Sequence, residues 1–404
     1  MYRYISGQDI PQTLTGPLLI DDYGLPRYWS TVWSTLSICS LEPSTQTHRL
    51  RLIESLYCFA DELNGCGSLD DMLGSLDMNG LGQVLEAFFV SIHNRPVNAN
   101  SEMKWRTALG FVTSVLMWRS KGDVQNPEFQ SIQKKLSYLE TLYSQLRISK
   151  PRQPNVIRSL PANVLEALFE LLSPDSSTNP FRNDKTRWRV FLIFTMLLNM
   201  GLRRGELLIL PVDTVKNSFD NKSQRTRHWI NVTENPYGQD DVRYNKPSIK
   251  TANSYRQIPV NEATSILVQS YIENFRGRPE HSFLVNSQFN SPMSHEALTK
   301  LFSKISMHLP KIVMKELEDR TGKKSITPHD LRHTCAVVFL NQLLKMGDSM
   351  DEALAKMRIF FGWAPSSDMP LRYARAVFED RLANVWSKIF DDQTEILRAI
   401  PKGL

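Results

Sequence analysis

Cysteine is scarce in this chain: four among 404 residues, at Cys39, Cys58, Cys66 and Cys335. No two form a CxxC pair, which argues against a zinc site or a disulfide framework. Four buried, reduced thiols are expected, as suits a cytosolic protein. Long apolar runs are missing too. None approaches the roughly 18 residues of a membrane helix, and the N-terminus is polar without a secretory h-region. Neither export nor membrane insertion is expected, so the sequon Asn231-Val232-Thr233 carries no meaning. Internal repeats and low-complexity tracts are absent. Tyrosine also runs out: after Tyr271 only Tyr373 remains, so a tyrosine nucleophile in the last third can be no other residue.

What is present is ordinary for a soluble globular protein, with 41% hydrophobic and 22% charged residues. The length suits two or three domains. The net charge of +6 is unevenly spread. Residues 1–150 hold 13 Lys+Arg against 15 Asp+Glu, and the remainder 35 against 27. A basic C-terminal two-thirds is compatible with a polyanion such as nucleic acid. The acidity lies mostly before His93 and argues for a protein contact there.

Glycines and prolines crowd residues 1–30 and predict an irregular arm. Helical periodicity predicts helices over Ser44–Leu63, capped by Ser44, and over Leu81–His93, Ser101–Arg119 and Pro127–Arg147. Lys104, Arg106, Lys134 and Lys135 give the latter two positive charge. Ile148–Pro161 holds three prolines and three basic residues, a stiff cationic linker that includes Arg152. Beyond it, helices are expected at Asn163–Leu172, Thr186–Asn199 and, past Gly201, Glu206–Leu210. Residues 212–260 carry strand signals. One strand is expected at Arg227–Val232, and a hairpin joins Pro247–Lys250 to Ser254–Val260 with Lys250 at its tip. Helices resume at Glu262–Asn274, Ser294–His308, Ile312–Thr321 and Met350–Phe361. Val377–Ile400 forms a last, amphipathic one.

The chemistry gathers in two places. Thr327 is a natural N-cap and Pro328 suits the first helical position, so His329 and Arg332 should share a face in a helix's opening turn. Unpaired backbone N–H groups there favour an anion. A histidine, an arginine and a helix N-terminus on one spot describe a phosphate site. Arg203 and Arg204, beside the helix end at Gly201, offer a guanidinium fork to a phosphate or a structural pair to Glu206.

The order Gly201-Leu202-Arg203-x-x-Glu206-Leu207, Lys250, His329-x-Leu331-Arg332-His333, Phe361-Gly362-Trp363 and Tyr373 resembles the tyrosine recombinases, or phage integrase family, over roughly residues 150–380. The resemblance implies a mainly α fold with a small antiparallel β-sheet: an all-α core-binding domain and an α+β catalytic domain. It implies a division into an arm (1–30), a helical core-binding domain (31–149), a basic linker (150–161) and a catalytic domain (162–404). Arg203 and Arg332 would stabilise the transition state without a metal, with Glu206 as companion and Arg204 as the alternative to Arg203. Lys250 would protonate the leaving 5′-oxygen, with Lys246 as its neighbouring alternative. His329 would act as acid/base or hold a phosphate oxygen, and His333 would support it. Trp363 would donate its indole N–H or pack the tyrosine helix, and Tyr373 would be the nucleophile. Trp363 and Tyr373 stand ten residues apart where the family usually has nine, and Pro365 and Pro370 stiffen the interval.

The resemblance implies a site-specific recombinase that cuts and rejoins DNA through a 3′-phosphotyrosyl link, integrating, excising or resolving a mobile element. Type IB topoisomerase-like relaxation and non-catalytic DNA binding on the same scaffold are the alternatives. The implied partners are double-stranded DNA and further copies of the chain in a tetramer on two DNA sites. An accessory protein is an optional third. No cofactor or metal is implied, and the location implied is cytoplasmic.

Overall fold

The computed structural model describes residues 2–5, 16–95, 100–119 and 159–378, apart from 223, 239–240, 244–245 and 250, together with positions 130, 134, 137 and 141. It divides into two compact units, Met1–Pro154 and Asn155–Leu404.

In the first unit, strand β1 (Tyr2–Ile5) pairs antiparallel with β2 (Gly16–Leu19), Tyr2 facing Leu19. The expected irregular arm therefore contains a ladder. The helices α1 (Tyr28–Leu36), α2 (Pro43–Asn64), α3 (Ser68–Ser75), α4 (Met78–His93) and α5 (Ser101–Arg119) follow. Helix α2 buries Leu50, Ile53, Leu56, Tyr57 and Ala60 along one stripe, against Leu81, Leu85 and Phe88 of α4 and Trp105 and Phe111 of α5. Pro43 occupies its first turn and Glu42 precedes it, so Ser44 is not its cap. Asp77 caps α4 by accepting from Gly80 N–H at 3.0 Å, starting that helix earlier than its periodicity predicts.

Helices α1 and α3 escape the sequence reading for a physical reason. The first N–H groups of α1, on Tyr28 and Trp29, donate to the Asp70 carboxylate on α3, so its cap lies 42 and 41 residues away. The cysteine expectation needs correcting: only Cys335 is buried, and Cys39, Cys58 and Cys66 are exposed. Cys58 falls off the α2 stripe that faces the core. Of the helix expected at Pro127–Arg147, positions 130, 134, 137 and 141 are helical and exposed, and the rest lies outside the described residues, as does the linker before residue 159.

The second unit is built on α7 (Asp184–Met200), whose residues Leu192 to Leu197 are all buried. Around it stand α6 (Ala162–Leu172), α8 (Arg204–Ile209), α9 (Glu262–Ser270, running into a π-turn at Tyr271–Phe275), α10 (His295–His308), α11 (Lys311–Thr321), α12 (Pro328–Lys345) and α13 (Met350–Phe361). Strands β3 (Val215–Asp220), β4 (Arg225–Val232) and β5 (Arg256–Val260) form one antiparallel sheet in that order, Ile230 facing Ile258. The expected hairpin of Pro247–Lys250 with Ser254–Val260 does not form: β5 pairs with β4, residues 246–249 are not strand, and Ala252–Ser254 is a 3₁₀ turn. Pro247 lacks an N–H for a ladder, and burial of Ile249 holds the segment instead. Strand β3 lacks clear alternation and stays largely exposed, so nothing in its pattern marks it. The last described helix covers residues 369–378; the remainder of the predicted Val377–Ile400 helix lies outside the described residues. Among the described residues no helix is long and apolar enough to cross a membrane.

Gly201 ends α7 at φ +56°, and a Cβ there would overlap the Phe361 ring. Gly322 ends α11 at φ +70° with open space around it. Gly201→Ala combines backbone strain with overpacking and lowers stability by about 3 kcal/mol. Gly322→Ala lowers it by about 1 kcal/mol. Urea denaturation of both variants checks the ranking.

Candidate active site

One carboxylate organises the centre of the second unit. Arg203 precedes α8, and its backbone N–H donates to Glu206 Oε2 at 2.8 Å. Arg203 Nη1 donates to Glu206 Oε1 at 2.6 Å and to Ser254 Oγ at 3.0 Å; Nη2 donates to the Gly362 carbonyl at 3.0 Å. Arg256, on β5, donates from both terminal nitrogens to the two Glu206 oxygens at 3.0 and 2.9 Å. Its Nε reaches the Phe360 carbonyl at 2.7 Å. Arg332, on α12, donates to the Gly201 carbonyl and, at 2.7 Å, to the Phe361 carbonyl, with Nη1 3.8 Å from Glu206.

The local chain explains this convergence. Helix α13 ends at Phe361, and Gly362 turns the chain at φ +60°. Its last carbonyls lack helical partners and carry the negative end of the helix dipole. Three arginines satisfy Phe360, Phe361 and Gly362 in succession. Burial alone would raise the Glu206 carboxyl, but hydrogen bonds and charge from Arg256, then the charges of Arg332 and Arg203, hold it down at about 2. Burial and the neighbouring Arg203 charge pull Arg332 down to about 9, so it stays a cation at neutral pH.

Tyr373 lies beside this cluster. Its ring stacks on Trp363 at 5.3 Å and 15°, and Trp363 stacks on Phe361 at 4.8 Å and 17°. The Arg332 guanidinium sits 5.7 Å from the Trp363 ring centroid. Tyr373 Oη is 2.6 Å from His333 Nδ1. Burial lifts the phenol to about 12. Burial and the His329 charge press His333 down to about 3. A protonated phenol beside a neutral imidazole makes Oη–H the donor to Nδ1. The His329 ring stands 4.0 Å from that of His333, more exposed than it, and burial and Arg332 lower its pKa. The predicted cap of α12 works through Asp330, which accepts from the Thr327 N–H at 2.8 Å and hydroxyl at 2.7 Å and pairs with Lys323. The ten-residue interval from Trp363 is taken up by a turn closed by Ser367 N–H on the Ala364 carbonyl, and Pro370 falls in the first turn of the tyrosine's helix.

The structure thus brings Arg203, Glu206, His329, Arg332, His333, Trp363 and Tyr373 together. Arg204 turns away, toward Thr299 at 3.4 Å. Lys250 lies outside the described residues, but its neighbours do not: Ile249 is buried, and Thr251 Oγ1 is 3.0 Å from the Ser254 hydroxyl that Arg203 contacts. In the first unit Lys104 is half-buried over Phe88, Arg106 pairs with Glu102 at 3.1 Å, and Lys134 is exposed on a helix. Lys135 and Arg152 lie outside the described residues. Sequence reasoning missed Arg256. Its signal was a charged residue in register with Ile258 and Val260, on the inward face of an alternating strand.

Glu206→Gln removes the charge that three guanidinium groups share. A carboxyl held below its ordinary 4.5 stabilises the fold fully above that pH and loses the contribution as pH falls toward about 2. The wild type should exceed the variant by about 3 kcal/mol at pH 7. The gap should narrow steadily below pH 4.5. Chemical denaturation at pH 7 and pH 3 reads it, and an equal gap at both would refute the electrostatic role.

Residues 158–351 match the model of the phage integrase family. No curated relative matches the chain. Among solved structures the chain is similar to a Tn1549 transposon integrase in complex with transposon right-end DNA, at 18% identity and a TM-score of 0.47, over 88% of this chain and 98% of that one. It is also similar to XerA recombinase, at 18% identity and a TM-score of 0.34, over 74% and 88%. The matched span holds the Gly201–Leu207 and His329–His333 boxes. On that match residues 158–351 belong to the phage integrase, or tyrosine recombinase, family of DNA-breaking and rejoining recombinases.

Proposed function

We propose that the chain is a site-specific tyrosine recombinase that integrates, excises or resolves a mobile element. The observation that carries this reading is the placement of the only late tyrosine against two arginines from distant segments, Arg203 and Arg332, that share one carboxylate. Tyr373 Oη attacks a backbone phosphorus, the bond to the 5′-oxygen breaks, and a 3′-phosphotyrosyl link forms. The two guanidinium groups neutralise charge that grows on the phosphoryl oxygens. Lys250 protonates the departing 5′-oxygen. His329 holds a phosphate oxygen or moves a proton, and His333 and Trp363 hold the phenol and its ring before the attack. Glu206 positions Arg203.

Tyr373 has no exposed surface in this arrangement, so a phosphate cannot reach Oη until the chain around Tyr373, beyond Trp363, shifts. DNA binding is the natural trigger. The reading includes a cytoplasmic tetramer on two DNA sites, exchanging the chain beyond residue 378 between copies. The first unit serves as core-binding domain through Lys104, Arg106, Lys134 and Lys135, and Arg152 lies on the linker.

The test uses nicked, randomised duplexes and reads SDS-resistant protein–DNA adducts. Wild-type protein should form adducts at Tyr373. Tyr373→Phe should bind the duplexes equally and form none, and Arg203→Ala or Arg332→Ala should slow cleavage about 100-fold or more. Adducts from the phenylalanine variant would remove Tyr373 as nucleophile. Binding without adducts by the wild type would favour the non-catalytic alternative, and sequence-independent plasmid relaxation would favour the topoisomerase one.

A further inference from the structure

The residues on either side of Lys250 are held by different means. Ile249 is buried in the core of the second unit. Thr251 opens a tight turn: Ser254 N–H donates to the Thr251 carbonyl at 2.9 Å, and Tyr255 N–H to the Ala252 carbonyl at 3.1 Å. This turn rests on the chain that leads into Trp363. A Cβ on Gly362 would stand 3.0 Å from Ser254 Cα and 3.1 Å from the Asn253 carbonyl oxygen.

Ser254 joins the turn to two of the three arginines around Glu206. Its carbonyl accepts from Arg256 Nη1 at 2.8 Å. Its hydroxyl accepts from Arg203 Nη1 at 3.0 Å and lies 3.0 Å from Thr251 Oγ1. Burial sets the direction of that last bond. Ser254 is 1% exposed, and among the described residues its hydroxyl meets only Arg203 and Thr251. A guanidinium cannot accept, so Ser254 O–H donates to Thr251 Oγ1; the reverse would leave its proton buried and unpaired. Thr251 is exposed and keeps its own proton for solvent or a phosphate oxygen. The chain from Arg203 through Ser254 to Thr251 thus runs one way, outward from the cation, and each bond polarises the next.

Neither end of this bridge needs it for its own sake. Two backbone hydrogen bonds already close the turn. Glu206 and the Gly362 carbonyl already hold Arg203. What the hydroxyl adds is a fixed distance between the two. We propose that Ser254 is a positioning residue for strand cleavage: through its hydroxyl, the turn that follows Lys250 and the Arg203 guanidinium are set as one unit. The proposal rests on the recombinase reading. In that reaction Lys250 gives a proton to the 5′-oxygen as its bond to phosphorus breaks, while Arg203 holds the phosphoryl oxygens. Both act on one phosphate, so an error in their spacing slows the step even with both groups present. Loss of the hydroxyl costs protonation more than charge stabilisation, because Arg203 retains its other partners.

Two measurements on Ser254→Ala test this in the full chain. Amide hydrogen exchange reads the turn without any reaction. The amides of residue 254 and Tyr255 should lose about fivefold or more of their protection, while those of β4 keep theirs. Unchanged protection at both would overturn the proposal. Cleavage kinetics use a duplex recovered from wild-type adducts, made with the ordinary 5′-oxygen at the cleaved phosphate or with a bridging 5′-sulfur. The sulfur leaves as a thiolate and needs no proton donor. At saturating duplex, the variant should slow the oxygen substrate about tenfold or more and the sulfur substrate about threefold or less. In a Lys250→Ala background the same substitution should cost about threefold or less on either substrate. Equal losses on both substrates, as a plain folding defect gives, or no loss on either, would overturn the proposal. If Ser254→Ala does not fold, Thr251→Val, at an exposed position, removes the far end of the bridge and should show the same excess loss on oxygen. Without that excess the proposal falls. An absence of wild-type adducts defeats the recombinase reading and this role with it, whereas wild-type adducts with equal losses defeat the role of Ser254 alone.

Discussion

Three guanidinium groups crowd one carboxylate in the second unit, and the rest of that unit is arranged so that they can. Alone, Arg203, Arg256 and Arg332 would repel one another in a medium less polar than water. Glu206 offsets that repulsion, and the C-terminal carbonyls of α13 offset more of it. The arginines then divide the work. Arg256 spends its nitrogens on Glu206, Ser254 and Phe360. Arg332 is 2% exposed and holds the ends of α7 and α13 together. Arg203, with its side chain 27% exposed, keeps most access to solvent. In the proposed reaction the same bonds that fold the unit also hold two cations ready, at little reorganisation, for a charge arriving from outside.

That arrangement explains why the tyrosine is sealed. Phe361, Trp363 and Tyr373 form a continuous stack, and Arg332 lies over its first two rings. Moving Tyr373 outward breaks the hydrogen bond to His333 and the stacking on Trp363, but leaves the Glu206 cluster untouched. A phosphate that drew the tyrosine out would meet arginines already in place. The phenol's raised pKa belongs to the closed arrangement, because burial causes it and exposure would relieve it.

Much of this was legible before the structure. The Gly201–Leu207 and His329–His333 boxes are local: a glycine in the left-handed region and a Thr-Pro helix start act over a few residues, so their meaning survives in one dimension. Helices with a strong apolar stripe, such as α2 and α5, were legible for the same reason. What failed was non-local. The cap of α1 sits on α3, the partner of β5 is β4 rather than its neighbour in sequence, and Ile249 is held by the core instead of a ladder. Arg256 was hidden because an arginine inside an alternating strand looks like an error until its carboxylate, 50 residues away, is in view.

The same distinction separates net charge from charge placement. A sum over the first unit averages Asp70 and Asp71 at the start of α3 with Arg51 and Lys104 on α2 and α5, and cancels the very asymmetry that matters. Helical geometry brings residues three and four apart together, but the meeting of Arg51, Arg95 and Lys104 requires three helices to pack. Tyr57, Phe88 and Trp105, buried between those helices, decide that packing. The apolar core, which carries no charge itself, therefore determines where these cations meet.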